Sequence, residues 1–350
     1  MKPRTLNRRA FEKVEAALNS LRQYYSSQNV NYLHDAESAL EIATKEDPEF
    51  LDAVYYSGIT KDLVGKPVEA SPYFNRILSD KRVSRKIKIE AEYNLGVAFY
   101  HQYSHVKLEA AEMHFKNVIN KSKESNDKEL QAMTFANLAQ TYAMWMIPNS
   151  HQRKLRDTPE GLSQIRNHVA QKFEKFQECE KKVRECLSRS RGKGNSYKKI
   201  EAVIENAAGM ALMYHTDYSD ETREDKIEGL QRALAYLQKS DKIAPNDWAN
   251  TCDLGSVHMR LGYHTEDKNQ KDNYFKMAID YLNNVLNVLR PDYGFAWYEL
   301  GRIFRMQGNF EDSMENFNKA LSIDVQYRDV DNETINLEKN RATEKDVSFP

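Results

Sequence analysis

The feature that most constrains this chain is a recurring pair of helical signatures. Near the C-terminus, Trp297, Leu300, Gly301 and Phe304 fall on one face of a helix. Gly301 is small where a neighbouring helix must approach closely. Gly308 and Asn309 mark a turn, and Ser313, Phe317 and Ala320 form the inward stripe of a second helix. The same signature recurs upstream as Gly58, Gly65, Ala70 and Phe74, and as Leu95-Gly96, Phe99, Ala111 and Phe115. It appears again as Ala208-Gly209, Ala233 and Leu237, and as Leu254-Gly255, Ala278 and Leu282. Asn137-Leu138-Ala139 and Tyr142 open another such unit, and at the front Ala36, Leu40, Ala43 and Pro48 form a second helix whose partner lies in residues 6–26. Only 13 glycines and nine prolines interrupt 350 residues, about half the usual share, which favours long helices over a turn-rich sheet protein.

The unit at 294–327 resembles a tetratricopeptide repeat, a helix–turn–helix unit of about 34 residues with a Trp, Leu-Gly, Tyr, Ala, Phe, Ala, Pro pattern. It departs from that pattern at Ser313 for the first Ala and at Val325 for the Pro. The resemblance extends over about residues 6–327 and implies an all-α fold: an α-solenoid, a right-handed superhelix of about seven helix pairs. Units 200–246 and 248–292 are longer than the family period, which implies extended helices or turns.

Three departures set the expected organisation. Residues Met146 to Pro159 read as a long turn. Thr158-Pro159-Glu160 then reads as a capped helix start, since proline's missing N–H costs nothing at the first helical position. Leu162, Ile165, Val169, Phe173, Phe176, Val183 and Leu187 extend that helix to about Arg189, long enough to project past its neighbours. The expected segments are N-terminal repeats over 1–146, a loop and extended basic helix over 147–199, C-terminal repeats over 200–327, and a charged tail over 328–350 that is flexible or a short cap.

Composition narrows the function. Lys+Arg 51 against Asp+Glu 52 removes a whole-chain argument for nucleic acid or an anionic membrane. No apolar run is long enough to span a bilayer. The basic N-terminus lacks an apolar segment behind it, which argues against a secretory signal, and three scattered cysteines point to a reducing cytoplasm. No phosphate-cradling glycine loop, nucleophile elbow or His-Glu-x-x-His occurs, so neither an enzyme nor a cofactor is expected. His101, His105 and His114 crowd one repeat without a clear fourth ligand, which favours surface polarity over a metal site. Cys179 and Cys186 read as buried apolar positions on the long helix.

Two surfaces emerge as candidates. Residues 165–199 carry eleven Lys or Arg and four Glu, with Lys181, Lys182, Arg184, Arg189, Arg191 and Lys193 at the end. Such a cluster suits phosphates, an acidic protein or self-association, against a solvated helix face as the plainer reading. The second surface comes from the resemblance, in which the first helix of each pair lines a concave groove. By that register, Tyr55, Tyr93, Val97, Gln140, Tyr298, Arg302 and Arg305 line it, together with Ile59, His101 and Met144. Asn94 and Asn137 hold equivalent positions, where an Asn in peptide-binding members bonds the ligand backbone; here they either do that or bond neighbouring helices. The chaperone-tail clamp of the family is not reproduced, because its positions hold Tyr55, Ile59 and Met133.

The expected function is therefore a non-catalytic scaffold or adaptor that binds a protein or peptide segment in the groove. The alternative is a regulatory subunit of a nucleic-acid-linked complex, transcriptional or defence, using the basic 165–199 helix.

Overall fold

A computed structural model describes residues 5, 7–27, 29–125, 127–155, 158–189, 194–323 and 332–348. Every regular element among them is helical. The chain divides into two compact units: Met1–Gln102 with Val106–Asn126, and Tyr103–His105 with Asp127–Pro350.

The first unit is three antiparallel helix pairs. These are α1 (Arg8–Ser27) with α2 (Asn31–Glu46), α3 (Leu51–Leu63) with α4 (Pro67–Ser79), and α5 (Arg85–Tyr100) with α6 (His105–Ser125), the last joined by Tyr93 on Phe115 and Asn117 on Glu92. Buried residues recur at three- and four-residue steps, as in Ala10, Val14, Ala17 and Leu21 of α1 facing Leu33, Ala36, Leu40 and Ala43 of α2. No pair could bury its apolar stripe alone, so α2 also meets α3, and α4 meets α5.

The second unit begins with α7 (Lys128–Trp145), a short α8 (Ser150–Leu155) and the 30-residue α9 (Pro159–Ser188). Three further pairs follow: α10 (Gly194–Tyr218) with α11 (Arg223–Ile243), α12 (Trp248–His264) with α13 (Lys268–Asn284), and α14 (Gly294–Met306) with α15 (Phe310–Ser322). A π-helical turn, Val285–Leu289, continues α13, and α16 (Asn332–Thr343) packs on α15.

The glycines explain why the pairs close. A Cβ on Gly58 or Gly96 would sit 2.8 Å from the ring of Phe74 or Phe115, and one on Gly301 would sit 2.5 Å from that of Phe317. Leu237 and Leu282 press on Gly209 and Gly255 in the same way, at 2.5 and 2.8 Å. Each of these five first helices thus receives one large side chain of its partner where it has none of its own. The α3–α4 and α14–α15 turns are alike: Gly65 and Gly308 both have φ of 78°, the left-handed region that favours glycine. In each, the residue after the glycine donates its N–H back into the last helical turn, Lys66 to Lys61 and Asn309 to Phe304.

Thr158 caps α9 by accepting from the Gly161 N–H, with Pro159 in the first turn, as the sequence predicts. Two expectations need correction. The long turn after Met146 contains α8. The long helix does not stand clear of its neighbours but is buried at intervals from Gly161 to Val183, because α7 and the 25-residue α10 flank it. Phe173 stacks on His215 at 4.2 Å and Arg184 reaches Glu205 at 2.9 Å, so α10 runs back along α9.

Candidate functional site

In each unit the first helices lie side by side: α1, α3 and α5 in one; α7, α10, α12 and α14 in the other. The two rows carry different surfaces.

In the first unit the row is lined by Tyr25, Tyr55, Tyr56, Ile59, Tyr93, Asn94, Val97 and His101. Tyr25 is 50% exposed, while Tyr56, Ile59, Tyr93 and Val97 are half-buried. Tyr55 is buried, with its ring edge-on to Tyr56 at 5.4 Å and to Phe74 at 6.3 Å. The Asn94 amide donates to the Tyr55 hydroxyl at 2.9 Å and to the Glu90 carbonyl at 3.0 Å, so it ties α5 to α3. Burial raises the Tyr55 and Tyr56 hydroxyls above the ordinary phenol range, and loss of water around its hydroxyl raises Tyr25 to about 12 although its side chain is half exposed. Nearby carboxylates add to each shift: Glu90 at Tyr55, Asp52 and Glu90 at Tyr56, Asp62 at Tyr25. His101 Nδ1 sits 2.9 Å from the Asp62 carboxylate at the end of the row.

The three histidines of that region go to separate partners. His105 Nε2 meets the Ile147 carbonyl at 3.0 Å, and His114 stacks on Phe99 beside Glu92. Among the described residues, no three His, Cys, Asp or Glu side chains form a group that could hold a metal.

In the second unit the row is filled. Gln140 donates to Asn206 at 3.1 Å, and Asn206 donates in turn to Asn250 at 3.1 Å and Asp253 at 2.8 Å. Deeper along the row, Arg260 pairs with Asp217 at 2.9 Å, Arg302 with Glu299 at 2.7 Å, and Arg305 with Glu338 of α16 at 3.0 Å. Arg153 of α8 donates to the Tyr298 hydroxyl at 3.3 Å, and Lys154 pairs with Glu333 of α16. Every residue of α12 from Asn250 to Gly262 is buried although many are polar, because the inner face of the helix meets this network instead of water.

The electrostatics follow from that burial. Glu338 is desolvated, yet Arg305, Arg302 and Arg341 hold its carboxyl below the usual range. Asp253 has no cation so close; burial pushes it up to about 7 against the Asn206 hydrogen bond. Burial lowers the pKa of His258, stacked on Tyr281 at 5.5 Å, to about 4.

The placement of the sequence-derived residues is therefore uneven. Tyr55, Tyr93, Asn94 and Val97 share one face of the first unit. Asn137 is half-buried on α7, and Gln140 is engaged by Asn206. Tyr298, Arg302 and Arg305, expected to line the groove, are 0, 3 and 0% exposed beneath α8 and α16, so no partner reaches them. Their side chains are engaged within the unit, Arg302 by Glu299 and Arg305 by Glu338 of α16.

Lys181 and Lys182 on α9 and Arg189 at its C-terminal cap are exposed, whereas Arg184 is engaged by Glu180 at 2.7 Å and by buried Glu205. Arg191 and Lys193 lie outside the described residues. Lys172 and Lys175, counted in the same positive segment, sit over Trp145 and Tyr142.

Sequence reading missed the ion network altogether. A signal for it exists two residues before the small residue of each first helix, where Asn94, Asn137, Asp253 and Glu299 stand. Asn94 and Asp253 both meet the preceding first helix three residues before its glycine, at Tyr55 and Asn206. This row stitches consecutive repeats together.

Residues 294–327 match the tetratricopeptide repeat family. No curated protein matches the chain. Similar solved structures include a tetratricopeptide repeat protein from Parabacteroides merdae ATCC 43184, at 14% identity and TM-score 0.47, covering 94% of this chain and 99% of that one. The apo form of RapI gives 17% identity and TM-score 0.48, covering 96% and 99%. A thermophilic protein of the same repeat class from Thermus thermophilus gives 17% and 0.43, covering 73% and 98%. The α14–α15 pair thus matches the tetratricopeptide repeat family, and four other helix pairs close on a glycine in the same way.

Proposed function

We propose that the protein is a non-catalytic interaction scaffold that holds a protein segment against the α1–α3–α5 face of its first unit. The observation carrying this reading is the contrast between the two rows of first helices. One presents half-buried tyrosine and aliphatic side chains, and the other is closed by its own ion pairs. Tyrosine offers large contact area with few rotors and a polar tip, which suits recognition of an extended chain. Asn94 acts in this reading as a brace for Tyr55, not as a ligand to the partner.

The test is selection from a displayed random peptide library, followed by binding of the recovered peptides to a Tyr56→Ala/Val97→Ala variant. Loss of binding with an unchanged circular dichroism spectrum is the expected result. Full retention of binding by that variant would reject the assignment of the face. The surface around Lys181 and Lys182 gains no comparable support, since much of the segment's charge is used within the fold.

A further inference from the structure

The cations of the second unit's inner face have carboxylate partners, with one exception. Arg260 has Asp217, Arg302 has Glu299, Arg305 has Glu338, and Lys154 has Glu333. Arg153 of α8 forms no ion pair among the described residues. Its guanidinium is nonetheless held in place. Nε donates to the Pro148 carbonyl at 3.0 Å and Nη1 to the Tyr298 hydroxyl at 3.3 Å, so two of its five N–H groups are used. The turn that carries it is braced as well. Asn149 donates its N–H to Gln152 Oε1 at 3.0 Å, and Gln152 returns its own to Asn149 Oδ1 at 2.9 Å. The Arg153 side chain is half-buried, at the edge of the network rather than sealed within it.

Tyr298 brings a second donor that lacks an acceptor. It has no exposed surface, its hydroxyl accepts from Arg153, and no described residue takes its own proton. Burial raises this phenol above the ordinary range, so the proton stays on it at neutral pH. Arg302 lies over the same ring at 5.6 Å and adds positive field, although Glu299 engages it. A cation without a counter-ion and a buried donor without an acceptor are each unfavourable. One negatively charged acceptor satisfies both. We propose that Arg153 and Tyr298 hold a small oxyanion, a phosphate or carboxylate group, on the inner face of the second unit. The planar fork of Arg153 suits two oxygens of such a group, and the Tyr298 hydroxyl donates to one of them. A protein segment does not reach Tyr298, but an ion of a few atoms needs only a shift of the half-buried Arg153 side chain. The site is separate from the α1–α3–α5 face and does not depend on the docking reading.

The experiment is calorimetric titration of the full-length protein with inorganic phosphate and, separately, with succinate, at an ionic strength held constant with sodium chloride. At least one of them should bind with a Kd of about 1 mM or below. At tenfold excess over that Kd it should raise Tm by about 3–6 °C. A response to phosphate alone indicates a phosphate-bearing ligand, and a response to succinate at least as strong indicates a carboxylate-bearing one. Arg153→Gln should weaken binding about tenfold or more, and Tyr298→Phe, which keeps the ring, about three- to tenfold. Lys276→Gln, an exposed site on α13, should leave binding unchanged.

Without ligand, Arg153→Gln should melt at the parent's Tm or above it, because it removes a charge that has no counter-ion. A purely structural Arg153 would instead lower Tm in that variant and leave binding unchanged, which overturns the proposal. Neither ion binding up to about 10 mM overturns it as well.

Discussion

Glu338→Gln is the sharpest test of how the second unit is closed. Glu338 is 3% exposed and lies 3.0 Å from Arg305 and 3.5 Å from Arg341, and Arg305 itself has no exposed surface. The substitution keeps the shape and removes the charge. Arg305 retains a hydrogen bond to the Asp346 carbonyl but loses its carboxylate. Breaking one side of a buried pair costs about 3–5 kcal/mol, because the surviving charge stays desolvated. For a unit of this size that corresponds to a fall in Tm of about 6–20 °C. Amide hydrogen exchange should rise first in α16, whose packed surface holds few large apolar groups beyond Ile335. The double variant Arg305→Met/Glu338→Leu should recover most of the loss, since apolar replacement of both partners is often neutral or stabilising. A Glu338→Gln shift within about 1 °C of the parent, with α16 protection intact, would refute the claim that these ion pairs seal the unit.

Three further outcomes follow from the same geometry. Gly96→Ala and Gly301→Ala, which drive a methyl to 2.8 and 2.5 Å from the Phe115 and Phe317 rings, should each lose about 1–3 kcal/mol in urea unfolding. Phe115→Leu should partly rescue Gly96→Ala. Stability should carry two opposing pH dependences. The lowered His258 pKa, about 4 against 6.5 unfolded, removes stability as pH falls through that window, while the raised Asp253 pKa, about 7 against 3.8, removes stability as pH rises through its own. Asp253→Asn should therefore leave stability rising more steeply with pH between 4 and 6.5, and His258→Phe should leave it falling, as read by Tm across buffers. Thr158→Ala should cost about 1 kcal/mol by leaving the Gly161 N–H without its cap.

The fold was legible because its determinants are local and periodic. The glycine of one helix and the Phe or Leu of the next recur along the chain, and a cap such as Thr158-Pro159 carries its own chemistry. The candidate surface was half legible. Register alone says which side of a first helix is expected to face inward, for Tyr55 and for Arg302 alike. It cannot say whether that side is open, which depends on partners remote in sequence. Arg302 and Arg305 looked like groove cations until α8 and Glu338 of α16, separated from them by intervening chain, were seen to meet that face. The two readings of Asn94 were separable only by knowing that Tyr55 lies 2.9 Å away.

Methyl-labelled NMR during titration with a selected peptide tests the central contrast most directly. The Ile59 and Val97 methyls of the first unit should shift or broaden, while those of Val257 and Ile303, buried in the second, should stay in place. Movement of Val257 and Ile303 with Ile59 and Val97 unchanged would contradict the account.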